Sequence, residues 1–102
     1  MRKANVFFND TLAGVLEELS DTQYRFIYHT DYHGQPISLT MPTTQTVYEY
    51  NSFPPFFEGL LPEGTMLEVL LRKYKIDKKD YFGQLLQVGQ DMVGAVTVRP
   101  IL

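Results

Sequence analysis

Apolar residues in this chain change their spacing halfway along, and that change restricts the fold more than any other feature. Up to Met41 they alternate with polar neighbours, the two-residue period of a half-buried strand. From Phe53 onward they recur every three to four residues, the period of a helix packed on one side. Asn5-Val6-Phe7-Phe8 is short, β-branched and aromatic, and Asn9-Asp10 after it tolerates positive φ, so the pair predicts a two-residue hairpin turn. Thr11 to Glu18 is the expected return strand, with Leu12 and Leu16 on one face, Ala13 and Val15 on the other, and Gly14 marking a bulge. Glu17 and Glu18 read as its solvated end. Tyr24 to Tyr28 places Tyr24, Phe26 and Tyr28 on one face. His29 to Pro36 is a loop. Ile37 to Met41 is the cleanest alternation, with Ile37, Leu39 and Met41 inward, and Pro42 ends it.

Thr43 to Tyr50 is polar and extended. Ser52 then caps a short helix whose first turn holds Pro54 and Pro55, with Phe53, Phe56, Phe57, Leu60 and Leu61 at helical spacing. Pro62 breaks that helix and Gly64 turns the chain. The next helix runs from Thr65 to Tyr74 with Leu67, Leu70, Leu71 and Tyr74 as its apolar stripe. Thr65 is its expected N-cap, and Glu68 completes a capping box. Asp80 caps a third helix through Val88, with Phe82, Leu85 and Leu86 inward and Gly89 as its C′ residue. Gly94 to Arg99 is a last strand closed by Pro100. The fold class is α+β in two layers. A curled antiparallel β-sheet carries three helices packed on one side, and a C-terminal strand returns to it. Residues 1–102 form one domain, as a length of 102 residues implies.

The function classes are narrowed mainly by what is absent from the sequence. With 44% hydrophobic and 21% charged residues the composition is that of a globular domain, not a disordered one. No run of about 20 apolar residues spans a membrane. Met1 to Asn5 leads into no apolar h-region, so the sequence predicts no signal peptide, and zero Cys fits a cytosolic chain. A net charge of −3 gives no global attraction to nucleic acid or an anionic membrane. Gly83, Gly89 and Gly94 form no phosphate loop, and no catalytic triad or acid–base carboxylate pair stands out. His29 and His33 flank Asp31 in a loop, where two surface histidines are expected and not a metal site. Arg72, Lys73, Lys75, Lys78 and Lys79 form a basic run that complements the end of a helix; a nucleic-acid patch is its alternative reading. No catalytic, cofactor-binding or metal-binding residue is assigned.

Two segments carry a resemblance. Phe56-Phe57-Glu58-Gly59-Leu60-Leu61-Pro62-Glu63-Gly64 is similar to the F-F-[DE]-x-L-L-P-[DE]-x signature of the N-terminal subdomain of HipA-type serine/threonine kinases. Val88-Gly89-Gln90-Asp91-Met92-Val93-Gly94-Ala95-Val96 resembles its V-G-R-D-x-x-G-A-V signature, with Gln90 in the arginine position. The strand order before them resembles the start of the same subdomain, so the likeness covers nearly the whole chain. In such kinases this part continues into the ATP-binding and catalytic parts; here the expected continuation point is Arg99 to Leu102. A free-standing copy resembles HipS, the antitoxin of three-part HipBST systems. That resemblance implies a non-catalytic partner that binds and neutralises a HipT-like kinase toxin, alongside a HipB-like helix-turn-helix protein. It places Pro62, Glu63, Gly64, Thr65 and Met66 at the kinase contact. Thr65 stands where the HipS pattern has a bulky aromatic, so the sequence favours inhibition through other contacts. Two alternatives stay open: a split-off kinase subdomain that supports activity, and a nucleic-acid-binding regulator using the basic run.

Overall fold

Asn9 and Asp10 take φ of 48° and 66°, the left-handed pair a two-residue turn requires, and close β1 (Lys3–Phe8) onto β2 (Thr11–Glu18). The structure, a computed structural model, describes residues 1–92 and 94–101; Val93 of the second signature and Leu102 lie outside the described residues. Pairing in the hairpin runs Val6↔Gly14 and then Phe7↔Leu12, so Ala13 is an extra residue and bulges. The bulge resets the alternation. Ala13 and Leu16 are both fully buried and Leu12 is half-buried, which corrects the expected split of faces. Gly14 sits beside the bulge because a Cβ there would lie 2.3 Å from the Ile27 carbonyl oxygen.

β3 (Tyr24–Tyr28) pairs with β2, β4 (Val47–Tyr50) with β3, and β5 (Val96–Pro100) with the far edge of β1. The sheet order is β4-β3-β2-β1-β5, antiparallel throughout. Pro100 belongs to β5 and does not merely end it. It lies at the end of an edge strand, where a missing N–H costs little.

Ile37 to Met41 is not a strand. Ile37 and Met41 are buried as expected, but Leu39 is 96% exposed and the chain bends at Ser38 to Thr40. The Tyr28 hydroxyl takes the place of a ladder: it accepts from the Ile37 N–H at 3.0 Å and donates to the Met41 carbonyl. The Met41 N–H turns back to Ser38. Tyr48 similarly donates to the Pro42 carbonyl, so tyrosines of β3 and β4 pin the loop that the alternation suggested was a strand.

Among the described residues three helices, α1 (Pro55–Glu58), α2 (Gly64–Tyr74) and α3 (Tyr81–Val88), precede one 3₁₀ turn at Gly89–Asp91. Pro54, not Ser52, occupies the N-cap of α1, and no side chain bonds there. Asp80 caps α3 as predicted, its Oδ1 accepting from the Gly83 N–H at 3.0 Å. Gly89 keeps a right-handed φ of −59°, so it is not a left-handed C′ glycine. Its Cβ would lie 2.5 Å from the Val98 carbonyl oxygen; the glycine lets the end of α3 touch β5.

The core lies between the sheet and α1 and α3. Val6, Leu16, Phe26, Phe57, Phe82 and Leu85 are fully buried there. Tyr24 meets Phe53 edge-on at 5.3 Å, and Phe26 meets Phe57 at 5.9 Å. α2 is peripheral. Leu70 is its one buried residue, and Tyr74, expected inward, is 42% exposed. An open groove separates Leu70 and Tyr74 from Val88 and Met92, so the stripe of α2 is only partly covered.

Candidate functional site

Leu61 and Pro62 leave α1 in a tight connection, where the Leu60 and Leu61 N–H groups donate to the Phe57 and Glu58 carbonyls, the last two of that short helix. The chain then re-enters a helix at Gly64, whose φ of +59° at its first residue and open surroundings suit glycine. Glu63 is the N-cap, with an extended backbone and no side-chain hydrogen bond. Thr65 therefore lies inside the first turn and does not cap the helix, which corrects the capping-box expectation with Glu68. The cause is that Gly64 takes the first helical position and moves the cap two residues upstream.

Glu63, Gly64, Thr65 and Met66 are exposed, Met66 at 69%, while Pro62 is half-buried. Pro62 lines two open grooves. One, of about 380 Å³, is shared with Phe53, Leu61, Glu63, Leu67 and Tyr81. The other, of about 310 Å³, runs between α2 and α3 past Leu60, Leu70, Tyr74, Val88 and Met92. Of the five residues singled out in the sequence, Pro62 thus stands between the two grooves and Glu63 borders the first, while Gly64, Thr65 and Met66 continue as exposed surface at the start of α2.

The charged groups divide by role. Arg2 spans the start of β1, the end of β2 and the cap of α3. Its guanidinium holds Glu18 at 2.8 and 2.9 Å and Asp80 at 2.8 and 3.1 Å, and lies over the Phe82 ring. Hydrogen bonds from Arg2 hold the Glu18 and Asp80 carboxyls below their usual range and raise Arg2 above its own. Burial pushes the Glu17 carboxyl up, but hydrogen bonds from Arg25 and Lys3 outweigh it and the net shift is down. Arg25 reaches the Glu17 carboxylate at 2.7 Å, and Lys3 reaches the same carboxylate at 3.2 Å. Glu17 and Glu18 are therefore paired structural anions, not a solvated strand end. The signal missed in the sequence was Arg2 and Lys3 facing them across the hairpin.

Gln84 was missed as well. It is buried and donates to the Lys78 carbonyl at 3.0 Å, holding the α2–α3 loop. The basic run stands apart: Arg72, Lys73, Lys75, Lys78 and Lys79 are all exposed, and among the described residues none makes an ion pair. His29 and His33 are exposed, and among the described residues no three metal-binding side chains gather. No described helix is long and apolar enough to cross a membrane.

Comparison with known proteins gives one consistent result. The family model described as HipA N-terminal domain matches residues 4–99. A protein of Haemophilus influenzae, itself named only as uncharacterized, is 33% identical over 99 residues that make up 97% of this chain and 92% of that one. A protein of Sinorhizobium fredii bearing a kinase name is 43% identical over 47 residues, 46% of this chain but 12% of that protein. Among solved structures, the N-terminal domain of HipA toxin superposes with a TM-score of 0.80 and 31% identity over all of this chain and 94% of that one.

Proposed function

The chain belongs to the HipA N-terminal domain family, and on that premise we propose that it is a non-catalytic antitoxin that binds and neutralises a HipT-like serine/threonine kinase. The observation that carries this reading is the Haemophilus relative, of which this chain spans 92%: in that protein the domain makes up nearly the whole chain. A domain in that setting works by docking. Its physical route is complementation, in which a kinase lacking this subdomain receives a matching surface in trans. A stable contact of that kind buries about 1,200–2,000 Å² in total. The segment Pro62, Glu63, Gly64, Thr65 and Met66, with the grooves that Pro62 borders, is the proposed contact. A HipB-like helix-turn-helix protein joins the pair in a ternary complex in the cytoplasm, and this chain itself takes no cofactor, membrane or nucleic acid.

A second reading, support of kinase activity, draws on the Sinorhizobium protein, where the matched segment is a small part of a longer kinase-named chain. Co-expression separates the two. Growth arrested by the kinase should resume when this chain is supplied, and arrest that deepens would favour the second reading.

A further inference from the structure

The groove of about 380 Å³ between α1, the connection after it and the start of α3 carries charge of one sign only. Its charged lining residues are Glu58 and Glu63, and no Lys or Arg lines it. Neither carboxylate is ion-paired among the described residues, whereas Glu17, Glu18 and Asp80 all are. Glu63 is also unspent locally. It stands at the N-cap of α2, where an acidic side chain ordinarily accepts from a first-turn N–H, and it makes no such bond. Holding the fold uses neither acid.

A third acceptor comes from Gln84. This residue of α3 is 1% exposed, yet it lines the same groove. Its Nε2 donates to the Lys78 carbonyl at 3.0 Å and to the Asp77 carbonyl at 3.4 Å, which fixes that end of the amide as the nitrogen. Its Oε1 accepts from no described group. Every fully enclosed side-chain N or O among the described residues has a partner, so Oε1 keeps an opening, and the groove is the opening that Gln84 lines. The lining is also aromatic: Tyr81, 39% exposed, packs on Phe53 with ring centroids 5.7 Å apart.

An acceptor-rich, anionic lining with an exposed ring selects its occupant. A carboxylate would be repelled, and an apolar side chain would cover the Gln84 carbonyl without pairing it, which costs binding energy. A guanidinium is a flat cation with five N–H donors and no acceptor, and it stacks on aromatic faces. The lysine ammonium brings the charge but neither the plane nor the fork of donors. We propose that this groove seats an arginine side chain of the kinase partner, its guanidinium against the Tyr81 ring, donating to Gln84 Oε1 and neutralised by Glu58 and Glu63. This rests on the antitoxin reading and names what the contact beside residues 62–66 recognises.

The test is calorimetric titration of the HipT-like kinase from the same genome into this chain. Glu58→Gln and Glu63→Gln together should weaken binding by about tenfold or more at low salt and by less at moderate salt. Tyr81→Leu should weaken it several-fold, whereas Tyr81→Phe, which keeps the ring, should stay within about twofold. Asp31→Asn, the same loss of charge in the exposed loop after β3, should also stay within about twofold. All of these positions are exposed, and thermal melts check that each variant folds. Arginine itself is probed by NMR on the unaltered chain: N-acetyl-arginine amide should shift the Gln84 side-chain signals and the Glu58 and Glu63 amides more than N-acetyl-lysine amide does. Tight binding by the unaltered chain, with the paired glutamate variant or Tyr81→Leu within about twofold of it, overturns the groove and leaves the antitoxin reading standing. Equal shifts from the two amides overturn arginine as the occupant. No binding of the kinase by the unaltered chain overturns the antitoxin reading and the proposal with it.

Discussion

Gly89→Ala tests the packing of the helical layer through the sign of a stability change. Gly89 has φ −59° and ψ −30°, ordinary helical values, so local propensity favours alanine there by up to about 1 kcal/mol. Tertiary packing opposes it. The new Cβ would stand 2.5 Å from the Val98 carbonyl oxygen, about 0.9 Å inside the 3.4 Å at which ordinary contact begins, and 2.8 Å from the Val98 Cβ. Val98 cannot retreat freely, since its strand is laddered to β1 with Val6 opposite. Overpacking of this kind costs about 1–3 kcal/mol, and a blocking backbone atom places it at the upper end. The net expectation is a loss of about 2 kcal/mol, which for a domain of this size lowers Tm by roughly 8–16 °C. Gly59→Ala is the matched control. Its φ is −64° and its Cβ contacts lie at 3.4 and 3.5 Å, so the same substitution should be neutral or stabilising by about 0.5–1 kcal/mol. Urea and thermal unfolding of both variants give the comparison. If both shift stability in the same direction, the close approach of α3 to β5 is wrong.

Tyr28→Phe should cost about 1–3 kcal/mol in urea unfolding, because it leaves the buried Ile37 N–H without an acceptor and the Met41 carbonyl without a donor; an unchanged midpoint would rule out the tyrosine pin. Glu18 and Asp80 are held below their usual carboxylate range by Arg2, so their contribution is present above about pH 5 and is lost as pH falls through their depressed values. Arg2→Met should therefore flatten the acid limb of the stability–pH curve, and a limb of unchanged slope would refute the clamp. Thr65→Ala should change stability by less than about 0.5 kcal/mol, an ordinary surface effect, where loss of a true N-cap costs about 0.5–2 kcal/mol.

Where a single local rule decided the outcome, the sequence was readable. Asn9-Asp10 could form only a left-handed turn, which set both ends of the first hairpin, and Asp80 could cap only the helix that follows it. Where two rules competed, sequence alone chose wrongly. Ile37 to Met41 alternates like a strand, but a hydroxyl from Tyr28, nine residues upstream, satisfied its backbone before a neighbouring strand could. Gly89 looked like a left-handed cap because nothing local records how near β5 passes. Thr65 followed by Glu68 matches a capping box, but the helix begins at Gly64 and the cap falls two residues upstream, on Glu63. The exposed segment at residues 62–66 was legible as surface from its Pro-Glu-Gly composition. The grooves that Pro62 borders were not, since they are made by residues brought together only in the folded chain.

On the proposed function, this domain silences a kinase by binding it. The initial rate of phosphate transfer by the purified HipT-like kinase, measured as this chain is titrated in, should then fall to background once the chain equals the kinase in concentration, with no phosphate transfer by the chain alone. A rate that holds steady or rises through equivalence would contradict it.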